Sequence, residues 1–138
     1  MVLNKIGLTG ATGMLGRHVQ EALERSGAQV IAVNRASASG SEAVGWDLED
    51  WKSLTELDEL FSDVQAVVHA GAMVQTNGLV DEGRMFNTNV RACVNLGQWA
   101  ISRRVPIVHI SSSTVYADTT SNKLREDAPT GWSGLGGF

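Results

Sequence analysis

The chain has 138 residues and a formal net charge of −4, and 43% of its residues are hydrophobic. These values predict one compact domain that needs neither a disulfide framework nor a structural metal. The acidic balance excludes the basic surface of a nucleic-acid-binding protein, and no apolar run in the sequence is long enough to span a membrane. Because Cys93 is the single cysteine, we expect a small buried thiol and a reducing, cytoplasmic setting.

Short apolar segments alternate with longer amphipathic ones, which predicts an α/β fold with a parallel sheet and helices on both faces. In chain order we expect a strand at Lys5–Thr9, a helix at Met14–Arg25, a strand at Gln29–Asn34, a surface loop at Ala36–Gly45, an amphipathic helix at Ser53–Phe61, a strand at Ala66–Ala70, a long helix at Asp81–Arg104 and a buried strand at Ile107–Ser111. Polar residues and glycines follow Tyr116, where we expect no stable helix and no central strand.

Apolar residues at helical spacing mark one face of each of two predicted helices. On the first helix these residues are Leu15, Val19, Ala22 and Leu23. On the long helix the residues expected to point inward are Phe86, Val90, Val94 and Ile101.

Glycines recur at three-residue spacing between the first predicted strand and the first predicted helix, at Gly10, Gly13 and Gly16. Such a turn suits a dinucleotide, because one glycine permits the tight turn, one lets the backbone approach the pyrophosphate, and one lets the helix pack on the strand. Backbone N–H groups and the positive end of the helix then attract the phosphates. The alternative is a glycine-rich turn without a ligand.

The second predicted strand ends at Asn34 and Arg35, roughly 18 residues after Gly16, where a dinucleotide fold reads the adenosine ribose. An acidic residue there would favour the free 2′-hydroxyl of NAD. Neutral Asn34 and cationic Arg35 would instead attract a 2′-phosphate. NADP is therefore the preferred cofactor and NAD the alternative, and Arg35 is otherwise a solvated loop charge.

Five ordered blocks extend this pattern along the chain, namely Thr9–Gly16, Trp46–Leu48, Val67–Ala72, Asn89–Val90 and Ser111–Tyr116. Together they resemble the extended short-chain dehydrogenase/reductase superfamily, and within it the NAD(P)-dependent sugar epimerase/dehydratase group. The resemblance implies one NAD(P)-binding Rossmann-type domain over residues 1–138, a doubly wound parallel sheet with helices on both faces that is C-terminally incomplete. A general α/β domain whose glycines form only turns does not account for five blocks in order.

The resemblance extends the cofactor site beyond the glycines and the end of the second strand. Asp47 would accept from the adenine amino group and Leu48 would line the adenine, while Gly71 and its neighbours would pass under the cofactor ribose. Asn89 would tie the long helix to the cofactor-side strands, and His69 is expected to be a packed, hydrogen-bonded core histidine. The whole expected cofactor set is Gly10, Thr12, Gly13, Met14, Leu15, Gly16, Asn34, Arg35, Asp47, Leu48, Ala70, Gly71, Ala72 and Asn89.

The catalytic residues of the resembled group are only partly present. Its catalytic serine or threonine lies four residues before the tyrosine of a Val-Tyr signature, which places it at Ser112. Strand alternation would point Ser111 and Ser113 away from the face used by Ser112. Tyr116 is the only tyrosine, and its fourth successor is Thr120, so the Tyr-x-x-x-Lys motif of the group is missing. We therefore expect the N-terminal part of a longer protein, inactive by itself.

Two classes of function follow from these residues. The first is an NAD(P)-dependent oxidoreductase, epimerase or dehydratase that transfers hydride at a hydroxyl or carbonyl carbon of a small molecule such as a nucleotide sugar. The second is a non-catalytic dinucleotide-binding module, a redox sensor or scaffold. Ser112 favours the enzyme, and the missing motif favours the module. The resemblance also implies a homodimer through Asp81–Arg104, and the absence of a Cys/His cluster in the sequence predicts no metal site.

Overall fold

The computed structural model describes residues 4–35, 44–74, 81–118, 120 and 123–131. The strands are β1 (Lys5–Thr9), β2 (Gln29–Asn34), β3 (Val44–Gly45), β4 (Ala66–His69) and β5 (Ile107–His109). The helices are α1 (Met14–Arg25), α2 (Leu54–Leu60), α3 (Glu82–Phe86) and α4 (Ala92–Arg103), with a π-helical turn at Asn87–Arg91 and a 3₁₀ turn at Ser113–Val115. None of the helices in these described ranges is both long and apolar enough to cross a membrane.

The five strands form one sheet in the order β3-β2-β1-β4-β5, and every neighbouring pair is parallel. From β1 the chain passes through α1 to β2 and one edge, and it later crosses back to β4 and the other edge. Right-handed crossovers place α1 on one face of the sheet and α2 and α4 on the other. The predicted doubly wound, Rossmann-type sheet is confirmed, and its switch point lies between β1 and β4.

The core lies between the sheet and the layer of α2 and α4. Its buried members are Val33, Trp46, Leu57, Phe61, Val64, Val67, Leu96, Trp99 and Ala100. Phe61 packs against the Trp99 ring with the centroids 5.1 Å apart. A Cβ at Gly7 would come within 2.6 Å of the Phe61 ring, so the glycine in β1 makes room for this aromatic side chain.

Local sequence patterns set most element boundaries. β1, α1 and β2 have the predicted bounds. Ser53 is the N-cap of α2, where its Oγ accepts from the Glu56 amide and the Glu56 side chain accepts from the Ser53 amide, a capping box. The predicted loop Ala36–Gly45 differs at its end, because Val44 and Gly45 pair with β2 as a short strand. Residues 36–43 lie outside the described residues.

The predicted long helix is divided, and its buried face is not the expected one. Phe86, Val90, Val94 and Ile101 are all exposed, Ile101 to 81%, so the expectation that they point inward is wrong. The buried positions are Ala92, Asn95, Leu96, Trp99 and Ala100. Both faces carry apolar residues at helical spacing, and periodicity therefore could not identify the one that packs on the sheet.

The expectation of a buried strand at Ile107–Ser111 is also wrong. β5 ends at His109 rather than Ser111, and Val108 is 57% exposed because β5 is an edge strand in the described sheet. On α1, Val19 and Leu23 are half-buried, whereas Leu15 and Ala22 are exposed. Gly16 is the buried residue of that helix, because the helix backbone at this position packs directly against the Gly10 carbonyl.

Candidate functional site

A cleft of about 390 Å³ opens at the carboxyl ends of β1, β2 and β4, at the switch point of the sheet. This is where open α/β sheets bind their ligands. Ten of the predicted cofactor residues line it, namely Gly10, Thr12, Gly13, Asn34, Arg35, Asp47, Leu48, Ala70, Gly71 and Ala72. The structure therefore brings together residues as far apart in the sequence as Gly10 and Ala72.

The three glycines of the first turn are constrained by different neighbours, and to different degrees. Gly10 has a φ of +72°, and a Cβ there would lie 2.6 Å from the Gly71 amide nitrogen. A Cβ at Gly16 would collide with the Gly10 carbonyl, whereas at Gly13 it would stand 3.2 Å from that oxygen. Gly10 and Gly16 are thus required by the close packing of the backbone, while Gly13 faces the cleft under less constraint.

The N-terminus of α1 lies at this turn, and no side chain caps its free backbone N–H groups. Gly13 is the N-cap, it supplies no side-chain hydrogen bond, and the first turn of α1 has no acidic residue. The first amides of a helix have no intrahelical acceptor. Met14 and Leu15 do not line the cleft with their side chains, and both are exposed. Their backbone N–H groups are the part that suits an anion.

The end of the cleft beside β2 and β3 contains a buried oxygen without a hydrogen-bond partner among the described residues. Among the described residues, Asn34 Oδ1 is the buried side-chain atom without a hydrogen-bond partner, although the Asn34 backbone oxygen accepts from the Trp46 amide at 2.8 Å. A buried polar atom is usually paired, so Asn34 Oδ1 is suited to a donor from a ligand. Arg35 lies beside it and is exposed.

Leu48 and Gly71 form one wall of the cleft together. A Cβ at Gly71 would come within 2.6 Å of Leu48 Cδ1, so the glycine allows the leucine to lie flat against the segment after β4. Asp47 accepts from the Glu49 amide through Oδ1 at 3.1 Å, and within the described residues its Oδ2 accepts no hydrogen bond.

Asn89 in the π-helical turn holds the segment after β4 in place. Its Oδ1 accepts from the Met73 amide at 2.7 Å, and its Nδ2 donates to the Met73 oxygen at 2.8 Å. Asn89 does not itself line the cleft. π-Helical turns often occur at functional sites, and here the turn directs the Asn89 amide toward the backbone that forms the floor of the cleft.

A buried hydrogen-bond network lies behind that segment. Thr9 Oγ1 is 2.6 Å from His69 Nδ1 and accepts from the Gly71 amide at 3.3 Å. His69 Nε2 is 3.3 Å from Cys93 Sγ, and the thiol donates to the Asn89 oxygen. His69 is buried and hydrogen-bonded, as predicted. Cys93 was predicted to be buried, but it is only partly buried. It lies in the first turn of α4, where the helix is not fully covered.

Burial sets the charge state of this network. Desolvation, and to a smaller extent the charge of His109, lowers the pKa of His69 to about 4. Burial also raises the pKa of the Cys93 thiol. Both groups are therefore neutral near pH 7.

Although the sequence has no Cys/His cluster, the fold brings three such side chains together. One ligand atom each from His69, Cys93 and His109 lies within 4.8 Å of the others. His69 and His109 are paired in register on β4 and β5, and their rings stack 5.5 Å apart. Sequence spacing gives no sign of this cluster, because strand pairing and helix docking bring it together.

Ser112 lies outside the cleft lining, in the turn that follows β5. It is exposed, and its Oγ accepts from the Thr114 amide at 3.2 Å and from the Thr114 hydroxyl at 2.9 Å. The alternation argument for Ser111 and Ser113 is wrong, because the strand has ended at His109 before these serines begin.

Residues from α3 and its surroundings contribute a side of the cleft that the motifs did not indicate. Arg84 and Thr88 line it, and Arg84 donates to Glu49 Oε1 through Nε at 2.8 Å and Nη2 at 2.6 Å. This pairing raises the pKa of Arg84. No sequence motif marks Arg84 or Thr88, because the tertiary packing of α3 and the π-helical turn brings them to the cleft.

Comparison with known proteins shows consistent similarity. The family model described as "NAD dependent epimerase/dehydratase family" matches residues 6–132. The ADP-L-glycero-D-manno-heptose-6-epimerase of Alkalilimnicola ehrlichii is 30% identical over 119 residues, which cover 79% of this chain and 37% of that protein.

Solved structures show the same similarity in three dimensions. A short-chain dehydrogenase/reductase superfamily protein from Agrobacterium tumefaciens with bound NAD has 32% identity and a TM-score of 0.73, covering 96% of this chain and 41% of that one. The UDP-N-acetylglucosamine 4-epimerase of Bacillus cereus has 30% identity and a TM-score of 0.73, covering 92% and 43%. The chain thus spans less than half the length of each of these three relatives.

Proposed function

Because the chain belongs to the NAD-dependent epimerase/dehydratase family, we propose that its cleft binds a nicotinamide dinucleotide for hydride transfer at a hydroxyl or carbonyl carbon. The observation that carries the proposal is the cleft itself. There Asn34 Oδ1, which has no partner among the described residues, meets the glycine turn and the wall at Gly71 at the switch point. When bound, the nicotinamide supplies the hydride acceptor or donor. This chain's own residues would bind and orient that cofactor.

The glycine turn is proposed to hold the pyrophosphate. The amides of Met14 and Leu15 stand at the uncapped N-terminus of α1, where the helix dipole favours negative charge by about 0.3–1 kcal/mol per charge. Gly13 borders the cleft, and its missing side chain lets the phosphate oxygens approach the backbone. Thr12 lies in the same turn and also lines the cleft.

The residues around β2 and β3 are proposed to bind the adenosine. Asn34 Oδ1 would accept from a ribose hydroxyl, and Asp47 would accept from the adenine amino group. Arg35 favours the 2′-phosphate of NADP over the free hydroxyl of NAD. In the described part of the chain, Arg84 is paired with Glu49, whereas Arg35 has no ion pair, which leaves the Arg35 charge available to a phosphate.

The substrate class is proposed from the relatives, two of which act on sugar nucleotides according to their names, an ADP-heptose 6-epimerase and a UDP-N-acetylglucosamine 4-epimerase. Ser112 would hold a substrate oxygen by exchanging its hydrogen bond with Thr114 for one with the substrate. Tyr116 is followed four positions later by Thr120 rather than lysine. This chain's own contribution is therefore cofactor binding and substrate positioning.

A glycine substitution tests the cofactor site. In Gly13→Val the added Cβ stands 3.2 Å from the Gly10 oxygen, so the turn can accommodate it by a small shift while the isopropyl group blocks the approach of the phosphates. We expect the Kd for NADPH and NADH, measured by fluorescence titration, to rise at least about tenfold, which corresponds to about 1.4 kcal/mol.

Gly97→Ala is the matched control, because a Cβ at Gly97 on α4 meets no atom within 4 Å. It should bind both dinucleotides as the wild type does. The proposal is wrong if the wild-type chain binds neither dinucleotide, or if Gly13→Val binds them with unchanged affinity while remaining folded by circular dichroism.

A further inference from the structure

Three metal-ligating side chains converge where β4 and β5 end, beside the network that supports the cleft. They are His69, Cys93 and His109, and one ligand atom of each lies within 4.8 Å of the other two. Cys93 Sγ is already 3.3 Å from His69 Nε2. We propose that these three side chains form a binding site for a zinc-class divalent ion.

The fold presents the three ligands on rigid elements. β4 and β5 are parallel neighbours with His69 opposite His109, so the two side chains project from the same face of the sheet. Cys93 belongs to the first turn of α4, the helix that packs on this sheet through Leu96 and Trp99. Two strands and a helix therefore set the separation of the ligands, which makes the geometry more precise than a loop could.

The outer contacts of His69 resemble those of a metal-bound imidazole. Such a histidine usually has its second ring nitrogen hydrogen-bonded to a fixed oxygen, which sets the tautomer and the ring orientation. Here Thr9 Oγ1 lies 2.6 Å from His69 Nδ1, and Thr9 is fully buried. Nε2 is thereby the ring nitrogen directed at Cys93.

The donor set identifies the class of ion. Two imidazoles and one thiolate are borderline-to-soft ligands that suit Zn²⁺, whereas Mg²⁺ and Ca²⁺ take oxygen ligands. Zn–N and Zn–S distances of about 2.0–2.3 Å require the widest pair of ligand atoms to approach by roughly 1 Å. His109 is exposed, so its side chain can rotate to supply that movement, and the solvent on its side can supply water as the fourth ligand.

Binding also changes a bond within the network. The Cys93 thiol donates to the Asn89 oxygen at 3.1 Å. When the thiolate binds the ion, the thiol proton passes to the buffer, the S–H···O hydrogen bond is lost and the metal–sulfur bond replaces it. Neither the Cys93 sulfur nor the metal ion changes its oxidation state.

Cobalt spectroscopy tests the site without any dinucleotide, so its outcome is independent of the proposed cofactor. Co²⁺ is added to the purified, chelator-treated 138-residue chain. We expect one equivalent to produce a thiolate-to-cobalt charge-transfer absorption together with the visible bands of four-coordinate cobalt, and Zn²⁺ to abolish both by displacement. The absence of a charge-transfer band with Co²⁺ in excess overturns the proposal.

Three variants assign the ligands. Cys93→Ser should lose the charge-transfer band, and His109→Gln should weaken Co²⁺ binding by at least about tenfold. His18→Gln, which changes an exposed histidine of α1 outside the cluster, should bind as the wild type does. The proposal is overturned if Cys93→Ser keeps the band. If Cys93→Ser fails to fold by circular dichroism, an unchanged Co²⁺ affinity in His109→Gln overturns it, because His109 is exposed and its replacement leaves the core intact.

Discussion

Asn34 and Arg35 show what single residues contribute at the end of β2. The spacing from the glycine turn placed them at the adenosine end of a dinucleotide, and both line the cleft. The sequence could not show that Asn34 Oδ1 is buried without a partner among the described residues. Asn34 is paired in register with Gly45 of β3, a contact between strands that no local pattern encodes. We propose that a ribose hydroxyl donates the hydrogen bond that Asn34 Oδ1 lacks.

We propose that Arg35 gives the cofactor site a preference for NADP. Replacing it in Arg35→Gln should reduce the ratio of NADPH to NADH affinity by roughly tenfold or more, because a hydrogen bond to a charged group contributes about 1.5–3 kcal/mol. Fluorescence titration with both dinucleotides measures the ratio. Arg25→Gln removes the same charge at the far end of α1 and should leave the ratio unchanged. A wild-type preference for NADH would remove the role assigned to Arg35.

At the scale of elements, α4 illustrates where local pattern was insufficient. Its apolar residues fall on two faces, and the exposed pair Val94 and Ile101 belongs to the face predicted to point inward. The buried set contains Trp99, whose Nε1 donates to Asp58 on α2 at 2.9 Å, and Asn95, whose side chain pairs with the Lys52 backbone. These long-range partners select the face. By contrast, the bounds of α1 and the capping box of α2 follow from neighbouring residues and were predictable.

A matched pair of truncations identifies the buried face of α4. Leu96→Ala removes a side chain that is 1% exposed and should lower the free energy of unfolding by about 2–5 kcal/mol. Val94→Ala, two residues away and 48% exposed, should change it by less than about 0.5 kcal/mol. Urea unfolding followed by tryptophan fluorescence measures both. Equal losses in the two variants would contradict the orientation of the helix.

At the scale of the whole molecule, the stability should depend on pH through His69. Its pKa is lowered from 6.5 to about 4, so the unfolded chain binds more protons between these values. Stability is therefore complete above about pH 6.5 and falls as the pH drops toward 4, by an amount on the order of 3 kcal/mol when His69 is protonated only in the unfolded state.

Urea unfolding at pH 7 and pH 4.5 with a chelator present measures this loss. His69→Gln should show a smaller loss between the two pH values, whereas His18→Gln should retain the wild-type loss. An equal pH dependence in the wild type and His69→Gln would show that other groups are responsible.

The sequence by itself determined β1, α1, β2 and the glycine turn, because strand and helix periodicity and the placement of Gly10 and Gly16 are properties of adjacent residues. It also placed most of the predicted cofactor residues at one edge, because the carboxyl ends of parallel strands share an edge. Only the tertiary structure decided which face of α4 is buried and brought His69, Cys93 and His109 together. Strand pairing and helix docking set those contacts between residues far apart in the chain, and no local pattern encodes them.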